Sequence, residues 1–265
     1  MDRLLLLATN DDGYLARGLQ ALVTALEPLG DVWVVAPDRE QSATSHSLTL
    51  HHPLRVVTHG ERRFHVDGSP TDCVLLAVHG DLLPRRPDYI FSGINHGGNM
   101  GEDVSYSGTV AAAMEGTILG IPSVAISLVG GDAELLEGYA ATVGGIAREI
   151  VTTPQSESFP EDTLLNINLP PIAAGGIRGI RIAPLGKRVY ENPVLVSKDP
   201  RGKTYYWIGG EGPTWRGEED SDFRQVEEGY IAITPLHLDL TNYKTLQDLR
   251  KWEGLHPLGT PAEER

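Results

Sequence analysis

Cysteine is almost absent from this chain: Cys73 is the only one in 265 residues. That excludes an intrachain disulfide framework and a multi-cysteine metal site, and it suits a reducing compartment. Cys73 itself reads as a small buried thiol. Basic residues are also scarce, 22 Lys+Arg against 36 Asp+Glu, for a formal net charge of -14. A chain this acidic has no electrostatic footprint for a nucleic-acid duplex or an anionic membrane, so any phosphate ligand must be small and held locally. No apolar stretch approaches the ~20 residues of a membrane span, and the N-terminus lacks a basic region followed by an apolar stretch and a small-residue cleavage site. A soluble, cytoplasmic protein is expected. Internal repeats and low-complexity tracts are missing as well.

What the chain has is alternation. The apolar run Leu4 to Leu7 is followed by a polar loop and then by Gly18 to Leu26, where Leu19, Leu22 and Leu26 share one helical face. Val32 to Ala36 is a second near-continuous apolar run, as in a strand buried on both faces of a parallel sheet. The cycle resumes with a helix over Asp72 to Val78, a strand at Tyr89 to Phe91, a helix from about Val110 to Leu119, a strand Val124 to Leu128, and a helix over about Leu135 to Val151. This predicts an α/β fold with a doubly wound, mostly parallel, Rossmann-like sheet, in one domain spanning residues 1–265.

Beyond Pro170 the pattern changes to short β-like pieces, Ile177 to Ala183, Arg188 to Val196 and Thr204 to Ile208. Residues 185–228 read as a protruding β arm with an acidic loop, an oligomer contact rather than a catalytic device. The remainder, 229–265, holds a strand at Tyr230 to Thr234 and a short helix near Leu246 to Trp252.

Doubly wound sheets bind ligands at the carboxyl ends of their strands. Three loops converge there. The first is Thr9-Asn10-Asp11-Asp12-Gly13, whose adjacent carboxylates repel and resist desolvation unless a cation sits with them; a hard divalent metal is the simplest such cation. The second, Ala36 to Ser47, includes Ser42 and reads in isolation as a solvated loop. The third, Ser92 to Gly101, carries four glycines together with Asn95 and Asn99, and is followed by Tyr106-Ser107-Gly108-Thr109 at the start of a helix. Ser107 there is a cap by default, yet the same helix end also suits phosphate. The pooled carboxylates, hydroxyls and amide oxygens are hard ligands that suit Mg²⁺ or Mn²⁺. His96 reads as a solvent-facing loop residue, and the other histidines show no metal-binding spacing.

Asn10-Asp11-Asp12-Gly13-Tyr14, Ala36 to Ser42, Ser92 to Asn95, Tyr106 to Gly116, and Thr234-Pro235-Leu236 together resemble the signature segments of the SurE family, in the right order over nearly the whole chain. Ala43 and Gly98 stand where that family has Gly and Ala, and Ser69 replaces a Thr. The resemblance implies a metal-dependent phosphatase acting on nucleoside 5′- and 3′-monophosphates. It implies that Asp11, Asp12, Ser42 and Asn95 bind one divalent cation per subunit, and that Asn99, Ser107, Gly108 and Thr109 surround the phosphate. It further implies a projecting β hairpin and a C-terminal segment exchanged between subunits of a dimer or tetramer.

On this reading the metal polarises a phosphoryl oxygen and activates water, with either Asp11 or Asp12 available as general base. An aspartyl-phosphate route is disfavoured, because two adjacent aspartates point differently from a DxD pair and no matching lysine stands out. The leading rival is a non-catalytic nucleotide-binding or assembly protein on the same fold. A dinucleotide oxidoreductase is weaker, since the first turn lacks G-x-G-x-x-G and its carboxylates would repel a pyrophosphate.

Overall fold

In a computed structural model, residues 3–131, 133–153, 159–189, 194–208, 214–216 and 219–253 are described. The first βαβ unit comprises β1 (Leu4–Thr9), α1 (Arg17–Leu26) and β2 (Gly30–Pro37). An antiparallel pair follows, β3 (Val56–Gly60) and β4 (Arg63–Val66), and then α2 (Pro70–His79). Next come β5 (Tyr89–His96), α3 (Gly108–Ile118), β6 (Ser123–Leu128), α4 (Ala133–Gly138), α5 (Ala140–Thr152) and β7 (Thr163–Leu169). The C-terminal third holds β8 (Ile180–Ile182), β9 (Lys187–Val189), β10 (Val194–Lys198), β11 (Thr204–Ile208), β12 (Thr214–Arg216), α6 (Asp222–Glu227), β13 (Ile231–His237) and α7 (Tyr243–Leu249).

Nine strands form one sheet in the order β3-β4-β2-β1-β5-β6-β7-β13-β8, antiparallel only at β3–β4 and β7–β13. The chain therefore leaves β1 toward β2 on one side and returns at β5 on the other, which opens a crevice at their carboxyl ends. One face packs under α1, α4 and α5 through Leu19, Leu22, Leu26, Phe91 and Tyr139; α2 and α3 cover the other through Cys73, Val74 and Ala112. Ser69 caps α2 in a reciprocal box with Asp72. Cys73 is buried, as its reading held.

Three differences from the sequence reading have physical causes. The single helix over Leu135 to Val151 is two helices that break at Tyr139, whose ring is fully buried and whose hydroxyl donates to the Pro170 and Ile172 carbonyls. The strand at Tyr89 continues to His96, because past an irregularity after Ser92 it pairs again with β6, Asn95 opposite Ser127. Strand β7 escaped notice: Asn166 and Asn168 interrupt its apolar run, yet both are fully buried. Within 185–228 the described residues form two antiparallel ladders, β9–β12 and β10–β11; residues 190–193, 209–213 and 217–218 lie outside the described residues, as do 254–265 of the C-terminal segment.

One glycine joins this packing directly to the crevice. A Cβ on Gly18 in α1 would stand 1.9 Å from the carbonyl oxygen of Ile94, the residue before Asn95. Backbone cannot yield as a flexible side chain does, so Gly18→Ala is expected to cost about 3 kcal/mol of stability. Urea unfolding of the variant checks this.

Candidate functional site

Strand β1 delivers its polar end directly from the core: Thr9 and Asn10 are fully buried and Asp11 is only 5% exposed. Asn10 Nδ2 donates to the Gly13 carbonyl at 3.0 Å and closes the turn. Gly13 sits at φ +101 with the Arg39 backbone 3.0 Å from where a Cβ would be, which reserves the position for glycine. The second loop is stitched alongside by two backbone bonds, Gln41 N–H to the Asp11 carbonyl and Tyr14 N–H to the Pro37 carbonyl, each 2.7 Å. It is then tied to the third by Ser45, whose N–H donates to the Tyr106 carbonyl and whose hydroxyl donates to that of Ser105. The loop that reads as solvated in isolation thus forms a wall of the crevice, and Ser42 comes with it.

Helix α3 points its N-terminus at Asp11. The Thr109 hydroxyl donates to Asp11 Oδ1, and a Cβ on Gly108 would lie 2.8 Å from Asp11 Cβ, so only glycine permits this approach. Ser107 is the N-cap, accepting from Val110 N–H at 3.1 Å. Asp12 Oδ2 accepts from His96 N–H at 3.1 Å, binding the first loop to the end of β5. Asn95 donates its amide hydrogen to the Gly97 carbonyl at 2.7 Å, which leaves its amide oxygen for a cation. Asn99 is 7% exposed and held by neutral amides: its N–H donates to Asn168 Oδ1, its Nδ2 to Ser127 Oγ, and its carbonyl accepts from Asn166 and Asn168.

Asp11, Ser42, Asn95, Asn99 and Ser107 line one cavity of about 590 Å³. Asp12 sits at its edge through His96, while Gly108 and Thr109 stand behind Asp11 rather than on the wall. His96 is exposed, as read, and its Nε2 pairs with the Gly131 carbonyl at 2.9 Å. Three lining residues have no counterpart in the site read from sequence: Asp103, Arg188 from β9 and Ile208 from β11. A larger cavity of about 870 Å³, between α3 and the strands β8 and β13, is walled mainly by apolar groups such as Met114, Ile182 and Leu236 and holds no carboxylate. The smaller cavity is therefore the one that gathers the carboxylate, hydroxyl and amide groups of the expected site.

Burial pushes the Asp11 carboxyl up to about 6, the Thr109 hydroxyl opposing this and the Asp12 charge adding to it. Burial also raises Asp12, against the His96 N–H. Neither aspartate forms an ion pair with a lysine or arginine among the described residues. No group of three or more His, Cys, Asp or Glu gathers there either, so a cation at this point would meet two carboxylates and neutral oxygens. That donor set fits a hard divalent ion and not a soft one.

Fold and site together define a doubly wound α/β protein whose ligand crevice holds an acidic pair, Asp11 buried and Asp12 half-buried, directly against a helix N-terminus. Among known proteins, the family model described as Survival protein SurE matches residues 6–192, and the chain belongs to that family. Relatives carrying the name 5′-nucleotidase SurE include one from Gemmatimonas aurantiaca, 55% identical over 93% of this chain and 98% of the relative. Another, from Geotalea uraniireducens, is 49% identical over 94% and 98%. The crystal structure of the SurE protein from Aquifex aeolicus superposes with a TM-score of 0.84 at 45% identity, covering 94% of this chain and 99% of that one.

Because the folded Asp11 value lies above its ordinary 3.8, the metal-free protein binds this proton more tightly folded than unfolded. Its contribution is thus complete below about 4 and lost as pH rises through about 6, on the order of 3 kcal/mol. Asp11→Asn is expected to raise the melting temperature of the metal-free protein at neutral pH while removing most of the stabilisation given by added Mg²⁺ or Mn²⁺. Thermal melts with and without EDTA measure both effects.

Proposed function

We propose that this chain is a divalent-metal-dependent phosphatase that hydrolyses nucleoside 5′-monophosphates, and 3′-monophosphates as well, to nucleoside and phosphate. The observation that carries the reading is the buried Asp11 carboxylate beside Asp12, without a cationic side-chain partner, on the wall of a cavity shared with the N-cap of α3. The names of relatives that align over nearly the whole chain support the same reaction class.

Asp11, Asp12, Ser42 and Asn95 would hold one Mg²⁺ or Mn²⁺ per subunit. When bound, such a cation supplies Lewis acidity toward a phosphoryl oxygen and toward the attacking water. The protein supplies the rest. The amide of Asn99 and Ser107 at the N-terminus of α3 line the cavity and would face the charge that develops on the transferring phosphoryl group, while Gly108 and Thr109 carry the helix end behind Asp11. The Thr109 hydroxyl and the His96 N–H hold the two carboxylates in place, each occupying one oxygen. The remaining oxygen of Asp11 or of Asp12 takes the proton of water as its oxygen bonds to phosphorus. The phosphorus–ester bond breaks, and a proton returns to the nucleoside oxygen.

The proposed organisation is a single unit with an oligomer-contact arm at 185–228 and a C-terminal segment at 229–265, self-associating as a dimer or tetramer. Exposed Val196, Tyr206 and Trp207 on β10–β11 support this, as do Tyr243 and Trp252 near the C-terminus; each is more than 60% exposed. No helix among the described residues is long and apolar enough to cross a membrane.

Phosphate release from a panel of nucleoside monophosphates should require Mg²⁺ or Mn²⁺, vanish in EDTA, and fall at least about 100-fold in Asp11→Asn with the fold intact. A folded protein that binds nucleotides yet turns none over with any metal would instead be the non-catalytic binding or assembly protein.

A further inference from the structure

We propose that Arg188, brought into the cavity by the root of the arm, is a substrate-binding residue that recognises the phosphate group of the nucleotide; this rests on the phosphatase reading above. Arg188 and Asp103 both line the cavity alongside Asn99 and Ser107, and they form an ion pair with each other. Their side chains are 21% and 18% exposed, so the pair sits in a partly desolvated wall and not on the open surface.

The guanidinium is positioned from several directions. Its own backbone N–H donates to Glu102 Oε2 at 2.7 Å, and its Cζ lies 5.6 Å from the centre of the Trp215 ring, across the ladder that pairs β9 with β12. Fully buried Asp222 connects the two segments that carry the pair. One of its carboxylate oxygens accepts from Gly101 N–H at 2.9 Å, at the start of the turn that holds Asp103; the other accepts from Gly186 N–H at 2.8 Å, two residues before Arg188. Burial raises the Asp222 carboxyl, and these backbone donors oppose the rise.

Charge indicates what such an arginine is for. Among the described residues, the other formally charged groups on this wall are Asp11 and Asp103, both acids, with Asp12 just behind. A phosphate monoester entering there meets negative charge unless positive charge faces it. A cation at the aspartates would answer one part of the phosphate charge, and a guanidinium lining the same cavity would answer another. Arginine suits the task because its planar fork of five donors can serve a carboxylate and a second oxyanion together, whereas an ammonium acts as a point charge. Asp103 thereby orients the fork, and the arm root becomes part of the binding site.

The test is titration calorimetry of inorganic phosphate and, separately, of adenosine into the full-length protein with Mn²⁺ present. The wild type should bind phosphate, Arg188→Ala should bind it about 10- to 100-fold more weakly, and adenosine affinity should stay unchanged. Arg188→Lys, which keeps the charge but not the fork, should fall between. Should Arg188→Ala not fold, Arg188→Gln is compared on the same two ligands. Equal phosphate affinity in a folded variant, or a loss confined to adenosine, overturns the assignment. A wild type that binds no phosphate with metal present counts against the phosphatase reading itself.

Discussion

The burial of the Asp11 carboxylate at the end of a central strand is the constraint on which the rest of this structure depends. Leu5 to Leu7 run through the core between β2 and β5, so the chain emerges at the carboxyl edge with no room to turn Asp11 outward. A carboxyl in that position is costly when charged, and the surrounding structure offsets only part of the cost, through the Thr109 hydroxyl. The remaining deficit is one of positive charge. The proposed metal affinity and the cost of the charged Asp11 in the metal-free protein are therefore two expressions of the same electrostatic arrangement.

Close backbone approach makes the arrangement possible. Gly13 lets the second loop lie against the first, and Gly108 lets the N-terminus of α3 reach Asp11. A methyl group at either place would push apart elements that share one crevice. The buried amides of Asn166 and Asn168 grip the Asn99 backbone, so a neutral network fixes Asn99 in the cavity wall without adding charge to it.

The arm is joined to this site more closely than its exposed strands suggest. Asp222 ties its root to the turn after β5, and the stacking of Trp215 on Phe223 backs the same junction. An element suited to subunit contact is thereby mechanically continuous with the cavity wall. Changes of assembly and changes of substrate affinity then have a shared physical route.

Much of the fold was legible locally. Apolar runs of strand length alternating with amphipathic helices predict a doubly wound sheet, because each element must bury its own stripe or face whatever else the chain does. The placement of the acidic pair at the carboxyl end of β1 was legible for a similar reason, since the apolar run that precedes it fixes where the strand ends. Strand β7 was not, because Asn166 and Asn168 look like solvent-facing residues until the Asn99 loop arrives to satisfy them. Nor was the break at Tyr139, which depends on carbonyls some thirty positions away in sequence. The sequence by itself determined the βα alternation of the first half, the chemistry of the donor atoms and the family to which the motifs correspond. Only the tertiary structure decided that Ser42 lies on a wall instead of in solvent, that Thr109 bonds to Asp11 from behind, and that Arg188 and Asp103 pair in the cavity wall, because long-range contacts between residues far apart in the chain leave no periodic trace in it.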